Sequence, residues 1–230
     1  MKKNNLNILS IIPARGGSKG IPRKNIICLG KKPLIAWTIE ASLKSKFITK
    51  TIVSSDDDEI LNISKMYNSD ILKRPYSLST DNAPSEAVIK HVLESLSEQY
   101  DYIILLQPTS PLRDFSHIDR AFKDLLKSNA TALISTFETD NKILKSFVQN
   151  DDGYIKGISN DKYPFMRRQD LPKTYMSNGA IYIIKVDEFL KNNSLLTTKT
   201  ISFIMDNISS LDIDTIDDIN EVNKYLIKKI

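Results

Sequence analysis

The chain has 230 residues, of which 41% are hydrophobic and 26% are charged, and its formal net charge is +4. This composition is typical of a globular protein and excludes a collagen, a disordered tail and a small disulfide-stabilised domain. At about 150 residues per domain, the length favours one domain over residues 1–230 that carries an insertion. The longest apolar run, residues 103–106, is far shorter than the ~20 residues of a membrane helix. Because the single cysteine, Cys28, permits no internal disulfide, we expect a cytoplasmic protein.

Strands and helices are predicted to alternate along most of the chain. The strands are predicted over residues 7–12, 51–54, 70–72, 102–106, 131–137, 180–184, 201–205 and 211–213. The helices are predicted over residues 33–43, 57–66, 85–96, 118–126 and 216–227. This alternation predicts an α/β fold with a mostly parallel, Rossmann-like sheet and helices on both faces.

The alternation stops between residues 140 and 177. This segment contains two glycines, two prolines and seven basic residues against five acidic ones. Its composition indicates either an excursion that contains a hairpin or an interface segment, and we interpret it as an insertion into the domain.

Positive charge is concentrated at the start of the chain. Residues 1–39 hold eight basic residues and no acidic one, whereas the remaining 191 residues hold 24 basic and 28 acidic residues. A nucleic-acid-binding protein usually spreads its positive charge over a face and interleaves aromatic residues. Since the charge is local here and the first aromatic residue is Trp37, the pattern favours a small polyanion as ligand.

A glycine-rich basic loop, residues 13–25, follows the first predicted strand. Glycine lets successive backbone N–H groups approach and cradle an anion, and the loop has three glycines, Gly16, Gly17 and Gly20. We predict that three cations of the loop could neutralise a triphosphate, namely Arg15, Lys19 and Lys24. The glycine spacing matches neither a Walker A loop nor the dinucleotide-binding pattern. The alternative is a solvated basic turn.

A second loop, residues 107–113, follows the most apolar predicted strand. Ligands of open parallel sheets bind outside the carboxyl ends of the strands, where this loop would lie. Two prolines stiffen it, and its polar side chains include Gln107, Thr109, Ser110 and Arg113. The loop is therefore either part of a binding site or a rigid connector capped by Arg113.

Two carboxylates, Asp212 and Asp214, are predicted on the short strand over residues 211–213 and just beyond it. Residues two apart on a strand face the same side, so both carboxylates could meet one Mg²⁺ ion together with phosphate oxygens. An acidic strand edge that faces solvent is the alternative. The acidic residues 56–59 look similar, but we interpret them mainly as favourable charge in the first turn of a helix.

Six motifs in chain order resemble the acylneuraminate cytidylyltransferases, also called CMP-sialic acid synthetases. They lie at residues 12–20 with 24–25, 72–75, 106–113, 168–172, 178–182 and 210–215. The resemblance spans nearly the whole chain and implies a nucleotidyltransferase fold. It also implies transfer of CMP from CTP to the anomeric hydroxyl of a nine-carbon sugar acid, with release of pyrophosphate and with Mg²⁺ as cofactor. A homodimer built through residues 140–177 is implied as well.

The resemblance also assigns roles to individual residues. The nucleotide would be bound by the basic loop and two later positions, namely Arg15, Gly16, Gly17, Ser18, Lys19, Lys24, Asn25, Arg74 and Ser85. The sugar would be bound by Gln107, Lys145, Arg168 and Tyr182. The metal would be held by Asp212 and Asp214, which count with Arg15 and Lys19 as catalytic residues. One aspartate of the pair, or a water on the metal, would accept the proton of the attacking hydroxyl.

The identity of the sugar is the least determined part of this assignment. N-acetylneuraminate is the first expectation, but Leu195 and Leu196 stand where some family members place two aromatic residues against the sugar. Legionaminate, pseudaminate or another nonulosonate is therefore the alternative acceptor. A non-catalytic module that binds a nucleotide or nucleic acid is a further alternative. The two carboxylates argue against it, as does the acidic remainder of the chain, which would repel a long polyanion.

Overall fold

A computed structural model describes residues 6–226 of the chain. Eleven strands are present among these residues: β1 (Ile8–Pro13), β2 (Cys28–Leu29), β3 (Lys32–Pro33), β4 (Lys50–Ser55), β5 (Asp70–Lys73), β6 (Tyr102–Leu105), β7 (Ala132–Thr139), β8 (Phe147–Gln149), β9 (Ile155–Gly157), β10 (Thr174–Lys185) and β11 (Thr200–Ile204). The α-helices of the same part of the chain are α1 (Leu34–Lys44), α2 (Asp58–Met66), α3 (Ser85–Glu94), α4 (Phe115–Lys127), α5 (Val186–Asn192) and α6 (Ile216–Leu226).

Seven of the strands form one central sheet in the order β11-β7-β10-β6-β1-β4-β5. β10 is antiparallel to both of its neighbours, and every other pairing in this sheet is parallel. The central strands β1 and β6 are almost fully buried because apolar helices cover the sheet on both sides. The prediction of a mostly parallel α/β sheet is confirmed.

The two faces of the sheet carry separate apolar cores. Ile8 and Ile12 of β1 belong to a core shared with α1, α2 and α4, whereas Leu9 and Ile11 belong to a core shared with α3 and α5. Successive side chains of a strand point to opposite faces, which explains this division. Among residues 6–226, no helix is long and apolar enough to cross a membrane.

Two predicted elements differ from the structure. The strand predicted over residues 211–213 is wrong, because this segment is extended but pairs with no strand of the described chain. The alternation of Leu211, Asp212 and Ile213 instead reflects loop packing, in which the Ile213 amide donates to the carbonyl of Thr109 over 2.9 Å. The break assigned to residues 140–177 is too long, since β10 begins at Thr174 and pairs from there with β7.

Other boundaries follow from helix capping. α4 begins three residues before the predicted start because the Asp114 carboxylate accepts from the amides of Ser116 and His117. At α6, Thr215 and Asp218 cap each other through reciprocal side-chain to backbone hydrogen bonds. Lys2 and Lys3, two of the basic residues near the start, and Ile227 of the predicted last helix lie outside the described residues.

Candidate active site

A cleft of about 380 Å³ lies at the carboxyl ends of β1, β5 and β6. Because these strands are parallel, the loops that follow them meet at the same edge of the sheet. Ten of the residues predicted for the site line this cleft: Arg15, Gly17, Ser18, Lys24, Asn25, Arg74, Ser85, Gln107, Asp212 and Asp214. We call it the nucleotide cleft.

A small apolar cluster holds three loops of the nucleotide cleft together. Ile21 of the basic loop, Leu112 of the second loop and Ile213 between the two carboxylates pack in one buried cluster with residues of α6. At Gly20, an added Cβ would lie 2.6 Å from the Asp214 carbonyl oxygen, so the backbones approach in a way that only glycine permits. The basic loop and the carboxylate pair are therefore in direct contact, although about 190 residues separate them.

The acidic run at residues 56–59 fixes the basic loop from the side. The Gly16 amide donates to the Asp56 carboxylate over 3.0 Å, and the Arg23 guanidinium pairs with Asp57 and Glu59. Asp57 also accepts from the amide of Ile60, which confirms the predicted role at the start of α2. Pairing with Arg23 lowers the pKa of Asp57 despite its partial burial. The run is thus both a helix cap and an anchor for the basic loop.

The cations of the basic loop are already paired with carboxylates. Arg15 and Lys19 both contact Asp81, over 2.7 Å and 2.8 Å, and Asp81 belongs to the lining of the nucleotide cleft. The Lys24 ammonium donates to Asp214 over 2.9 Å and to the Ile213 carbonyl over 2.8 Å. Arg15 and Lys24 belong to the described lining of the cleft, whereas Lys19 does not and reaches it only through its contact with Asp81.

The second loop divides into a cleft-facing part and a buried part. Gln107 and Thr109 line the nucleotide cleft, whereas Ser110 and Arg113 are buried behind it. The Arg113 guanidinium donates to the Thr38 hydroxyl of α1 over 2.8 Å, and burial lowers its pKa to about 10. The buried part therefore agrees with the interpretation as a connector capped by Arg113, and binding by the cleft-facing part stays a prediction.

Asp212 and Asp214 both line the nucleotide cleft, but their surroundings differ. Asp214 is largely exposed, whereas Asp212 has a buried Oδ1 atom with no hydrogen-bond partner among the described residues. Burial raises the pKa of Asp212, and the nearby charge of Asp214 acts in the same direction. A bound cation or proton would offset the free-energy cost of the buried charge on such a carboxylate.

These two carboxylates fit a Mg²⁺ ion that also uses oxygens from the substrate. Mg²⁺ is often held by one or two protein carboxylates together with phosphate oxygens and water. Within residues 6–226, no group of three or more His, Cys, Asp or Glu side chains could hold a metal by itself. The donor set therefore fits a metal that arrives with a phosphorylated ligand better than a metal held by protein alone.

A second cleft, of about 280 Å³, adjoins the nucleotide cleft. Ser85 and Gln107 line both, and Tyr182 of β10 lines the second one, which we call the acceptor cleft. Gly179 has a φ of +72°, and an added Cβ there would lie 2.5 Å from the Gln107 Oε1 atom. The turn before Tyr182 therefore approaches Gln107 closely, which places the two predicted sugar-binding residues together.

Lys145 and Arg168, the other predicted sugar-binding residues, lie elsewhere. Neither belongs to the described lining of the nucleotide cleft or the acceptor cleft. Lys145 ends a short 3₁₀ turn, Asn141–Lys145, and Arg168 begins another, Arg168–Asp170. The guanidinium of Arg168 pairs with Asp140 over 3.4 Å on the exposed side of β7. One copy of the chain therefore does not bring these two residues to Gln107 and Tyr182.

Almost the whole described chain matches one known protein family. The family model described as cytidylyltransferase matches residues 9–229. The chain belongs to the cytidylyltransferase family. The resemblance derived from the six motifs is confirmed.

Relatives with known names support this membership of the cytidylyltransferase family. The chain is 38% identical over 207 residues to the N-acylneuraminate cytidylyltransferase of Escherichia coli O18:K1:H7, covering 90% of this chain and 49% of the relative. It is 34% identical over 227 residues to the pseudaminic acid cytidylyltransferase of Campylobacter jejuni serotype O:2, covering 96% of each. The chain thus spans about half the length of the first relative and nearly all of the second.

A solved structure supports the fold of this chain. CMP:2-keto-3-deoxy-manno-octonic acid synthetase complexed with CTP superposes with a TM-score of 0.74, covering 97% of this chain and 100% of the other. The sequences are only 14% identical, so this likeness concerns the fold alone.

Sequence reasoning missed several residues that line the nucleotide cleft or hold its basic loop in place. Asp81 lines the nucleotide cleft with Thr80 and Ala83, in a turn that precedes α3. Asp56 and Asp57 were assigned only to the helix. Asp56 and Asp57 directly follow β4, which is the parallel neighbour of β1. This position could have indicated that they lie beside the basic loop, which directly follows β1. Asp81 follows β5 by eight residues, and no local pattern indicates that it reaches the basic loop.

Proposed function

We propose that the protein transfers CMP from CTP to the anomeric hydroxyl of a nonulosonic acid and releases pyrophosphate. The observation that carries the proposal is the meeting of a basic glycine loop and a carboxylate pair across one cleft. That cleft continues into a second one, where Gln107 and Tyr182 could receive a sugar. N-acetylneuraminate is the first acceptor to test, as the motifs suggest. Cytoplasm is the compartment that fits, since CTP is available there and the exposed Cys28 stays reduced.

In this proposal the basic loop binds the phosphates of CTP. The guanidinium of Arg15 and the ammonium groups of Lys19 and Lys24 would neutralise the triphosphate, and the backbone amides of Gly17 and Ser18 would add hydrogen bonds. The Gly16 amide is engaged by Asp56, so Gly16 would act by shaping the loop. Its added Cβ would lie within 3 Å of the Asp57 side chain, which supports that role.

The nucleoside would lie deeper, against Asn25, Arg74 and Ser85. Arg74 is buried, donates through Nε to the Ser79 hydroxyl over 2.8 Å and has a buried Nη1 atom without a partner among the described residues. Burial lowers the pKa of Arg74. An unpaired, buried donor of this kind is costly unless a ligand satisfies it, which supports contact with a polar atom of the nucleoside.

The reaction would be an in-line displacement at the α-phosphorus of CTP. The anomeric oxygen of the sugar forms a bond to the α-phosphorus, the bond from that phosphorus to the bridging oxygen breaks, and pyrophosphate leaves. Reactions of this kind depend mainly on positioning and on neutralisation of charge. Asp212 and Asp214 would hold Mg²⁺, which when bound supplies positive charge near the leaving group. One aspartate of this pair, or a water on the metal, would accept the proton of the hydroxyl.

The decisive experiment is a panel of acceptors. The protein is incubated with CTP, Mg²⁺ and N-acetylneuraminate, pseudaminate or N,N′-diacetyllegionaminate, and the released pyrophosphate is measured. Release that depends on one of these acceptors supports the proposal. Tight CTP binding without release in any arm would instead support the non-catalytic nucleotide-binding module.

The lining of the acceptor cleft supports a second candidate acceptor. Ile134, Leu195 and Leu196 contribute apolar side chains to it, and Leu196 is largely exposed. An apolar wall suits a sugar with methyl or acyl groups better than one with a chain of free hydroxyls, whose desolvation would be costly. Pseudaminate or legionaminate is therefore the alternative to N-acetylneuraminate, and the same panel separates them by kcat/KM.

The basic loop provides a first prediction. Arg15→Ala and Lys19→Ala should each raise the dissociation constant for CTP about tenfold to a hundredfold, because each removes a charge-assisted contact to phosphate. Isothermal titration with CTP measures the effect. Lys44→Ala, which removes an exposed lysine at the end of α1 outside the cleft, is the matched control and should change nothing. Wild-type affinity in both loop variants would remove the loop from the nucleotide site.

We also propose that the protein is a homodimer formed through residues 140–177. Within this segment several large apolar side chains are exposed: Phe147, Val148, Tyr154, Ile155, Ile158, Phe165, Tyr175 and Met176. A monomeric protein rarely exposes such a set in one region. A two-fold dimer would cover it and could carry Lys145 and Arg168 to the acceptor cleft of the partner, where their charges would meet the carboxylate of the sugar.

A further inference from the structure

The Asp81 carboxylate is held between two cations of the basic loop. Its Oδ1 atom lies 2.7 Å from Arg15 Nη1, and its Oδ2 atom lies 2.8 Å from Lys19 Nζ. Each oxygen therefore has its own cation, at the distance that charge-assisted hydrogen bonds prefer. This is the arrangement in which two oxygens of a phosphate group would bind the same side chains.

We infer that Asp81 occupies the position of a phosphate group in the empty enzyme and exchanges with the polyphosphate of the ligand. The inference rests on the proposed function, in which Arg15 and Lys19 bind the phosphates of CTP. Asp81 would thus be a positioning residue with two effects. It keeps Arg15 and Lys19 side by side before the nucleotide arrives, and it competes with the nucleotide and with pyrophosphate for them.

The surroundings of Asp81 allow it to give up this position. It lies in a turn closed by a hydrogen bond from the Ala83 amide to the Thr80 carbonyl over 3.1 Å. Its side chain is 41% exposed, so a released carboxylate could be hydrated without further rearrangement. Pairing with Lys19, and then with Arg15, keeps the pKa of Asp81 below its usual range, so the competitor remains ionised at neutral pH.

The ion pairs of Asp81 with Arg15 and Lys19 are weaker than the contacts that a polyphosphate would make with the same two cations, and this difference favours exchange. Exposed pairs between single charges contribute little to stability because water competes for both partners. A triphosphate or pyrophosphate carries several negative charges and would displace one carboxylate from Arg15 and Lys19. Pyrophosphate has no nucleoside contacts, so its affinity depends largely on these cations. Return of Asp81 to them would therefore promote the release of this product.

The test measures binding of three ligands to the Asp81→Asn variant. Isothermal titration is carried out with pyrophosphate, CTP and cytidine in the presence of Mg²⁺. We expect the dissociation constants for pyrophosphate and CTP to fall about three- to tenfold, the size expected for the loss of one or two exposed ion pairs. Cytidine, which lacks phosphates, should bind as it does to the wild type. A residue that only supports the fold would give weaker binding, so the direction of the change is decisive.

Three further variants serve as controls. Asp81→Glu retains the carboxylate and should behave like the wild type, and Asp81→Ser should repeat the result of Asp81→Asn. Glu94→Gln makes the same charge change at an exposed residue of α3 that pairs with Lys90, and it should leave all three affinities unchanged.

The outcomes separate this inference from the proposed function. Unchanged or weaker binding of pyrophosphate to both neutral Asp81 variants overturns the inference. If Arg15→Ala and Lys19→Ala weaken pyrophosphate binding in the same assay, only the role of Asp81 has failed. If those two variants also bind pyrophosphate normally, the basic loop is not a phosphate site and the proposed function has failed with it.

Discussion

Asp212→Asn is expected to lower kcat by at least about a hundredfold, since a bound metal ion contributes several kcal/mol to a displacement of this kind. The amide keeps the shape of the carboxylate and loses the charge that a hard cation requires. The measurement is pyrophosphate release with saturating CTP and acceptor over a range of Mg²⁺ concentrations. Asp214→Asn should show a similar loss, because both carboxylates line the nucleotide cleft.

Thermal stability distinguishes this role from a structural one. Burial raises the pKa of Asp212 above its value in the unfolded chain, so at neutral pH its charge disfavours the folded state. This cost is relieved as the pH falls and Asp212 binds a proton. The neutral variant reproduces that relief, so its melting temperature at pH 7 should equal or exceed that of the wild type. The exposed ion pair of Asp214 with Lys24 contributes little, so Asp214→Asn should melt within a few degrees of the wild type.

A variant with full activity at limiting Mg²⁺ would show that its residue is not a metal ligand. A variant that unfolds, or melts far below the wild type, would show instead that the carboxylate supports the fold. Glu94→Gln, which changes an exposed acidic residue of α3 paired with Lys90, is the control for the loss of a surface charge.

The second large effect is recovery of activity when two inactive variants are mixed. Arg168→Ala chains and Asp212→Asn chains should each be nearly inactive alone. If Arg168 acts on the acceptor cleft of the partner, a mixed dimer contains one site in which both residues are intact. Random exchange makes half of the dimers mixed and half of their sites complete, so about a quarter of wild-type activity should return.

The control for this experiment pairs Asp212→Asn chains with Arg15→Ala chains. Both residues belong to the nucleotide cleft of a single chain, so every site in the mixture stays defective and no recovery is expected. Subunit exchange is demonstrated independently. If the Arg168→Ala mixture then shows no recovery, Arg168 acts on the acceptor cleft of its own chain. A protein that sediments as a monomer at micromolar concentration would exclude the dimer itself.

The sequence predicted those parts of the structure that depend on local pattern. β1 and β6 are continuous apolar runs, and the glycines and cations of the basic loop are adjacent in the chain, so the sheet and the loop are correctly placed. The sequence did not predict the roles of Asp81 and Asp56, because these roles depend on contacts with the basic loop across long stretches of chain. At residues 211–213 the error is the opposite one, because a strand was predicted where the structure has a loop. One buried face of this loop produces the alternation that is typical of a strand. Alternation alone does not reveal whether a neighbouring strand exists.

The contact between the basic loop and the carboxylate pair affects the order in which the nucleotide cleft folds. Lys24 and Asp214 are 190 positions apart in the chain, and Gly20 lies against the Asp214 backbone. During synthesis the basic loop emerges well before Asp212 and Asp214. Contacts between such distant residues form late in folding. A nascent chain therefore carries the basic loop long before its acidic counterpart, so the complete nucleotide cleft forms only after the two segments have met.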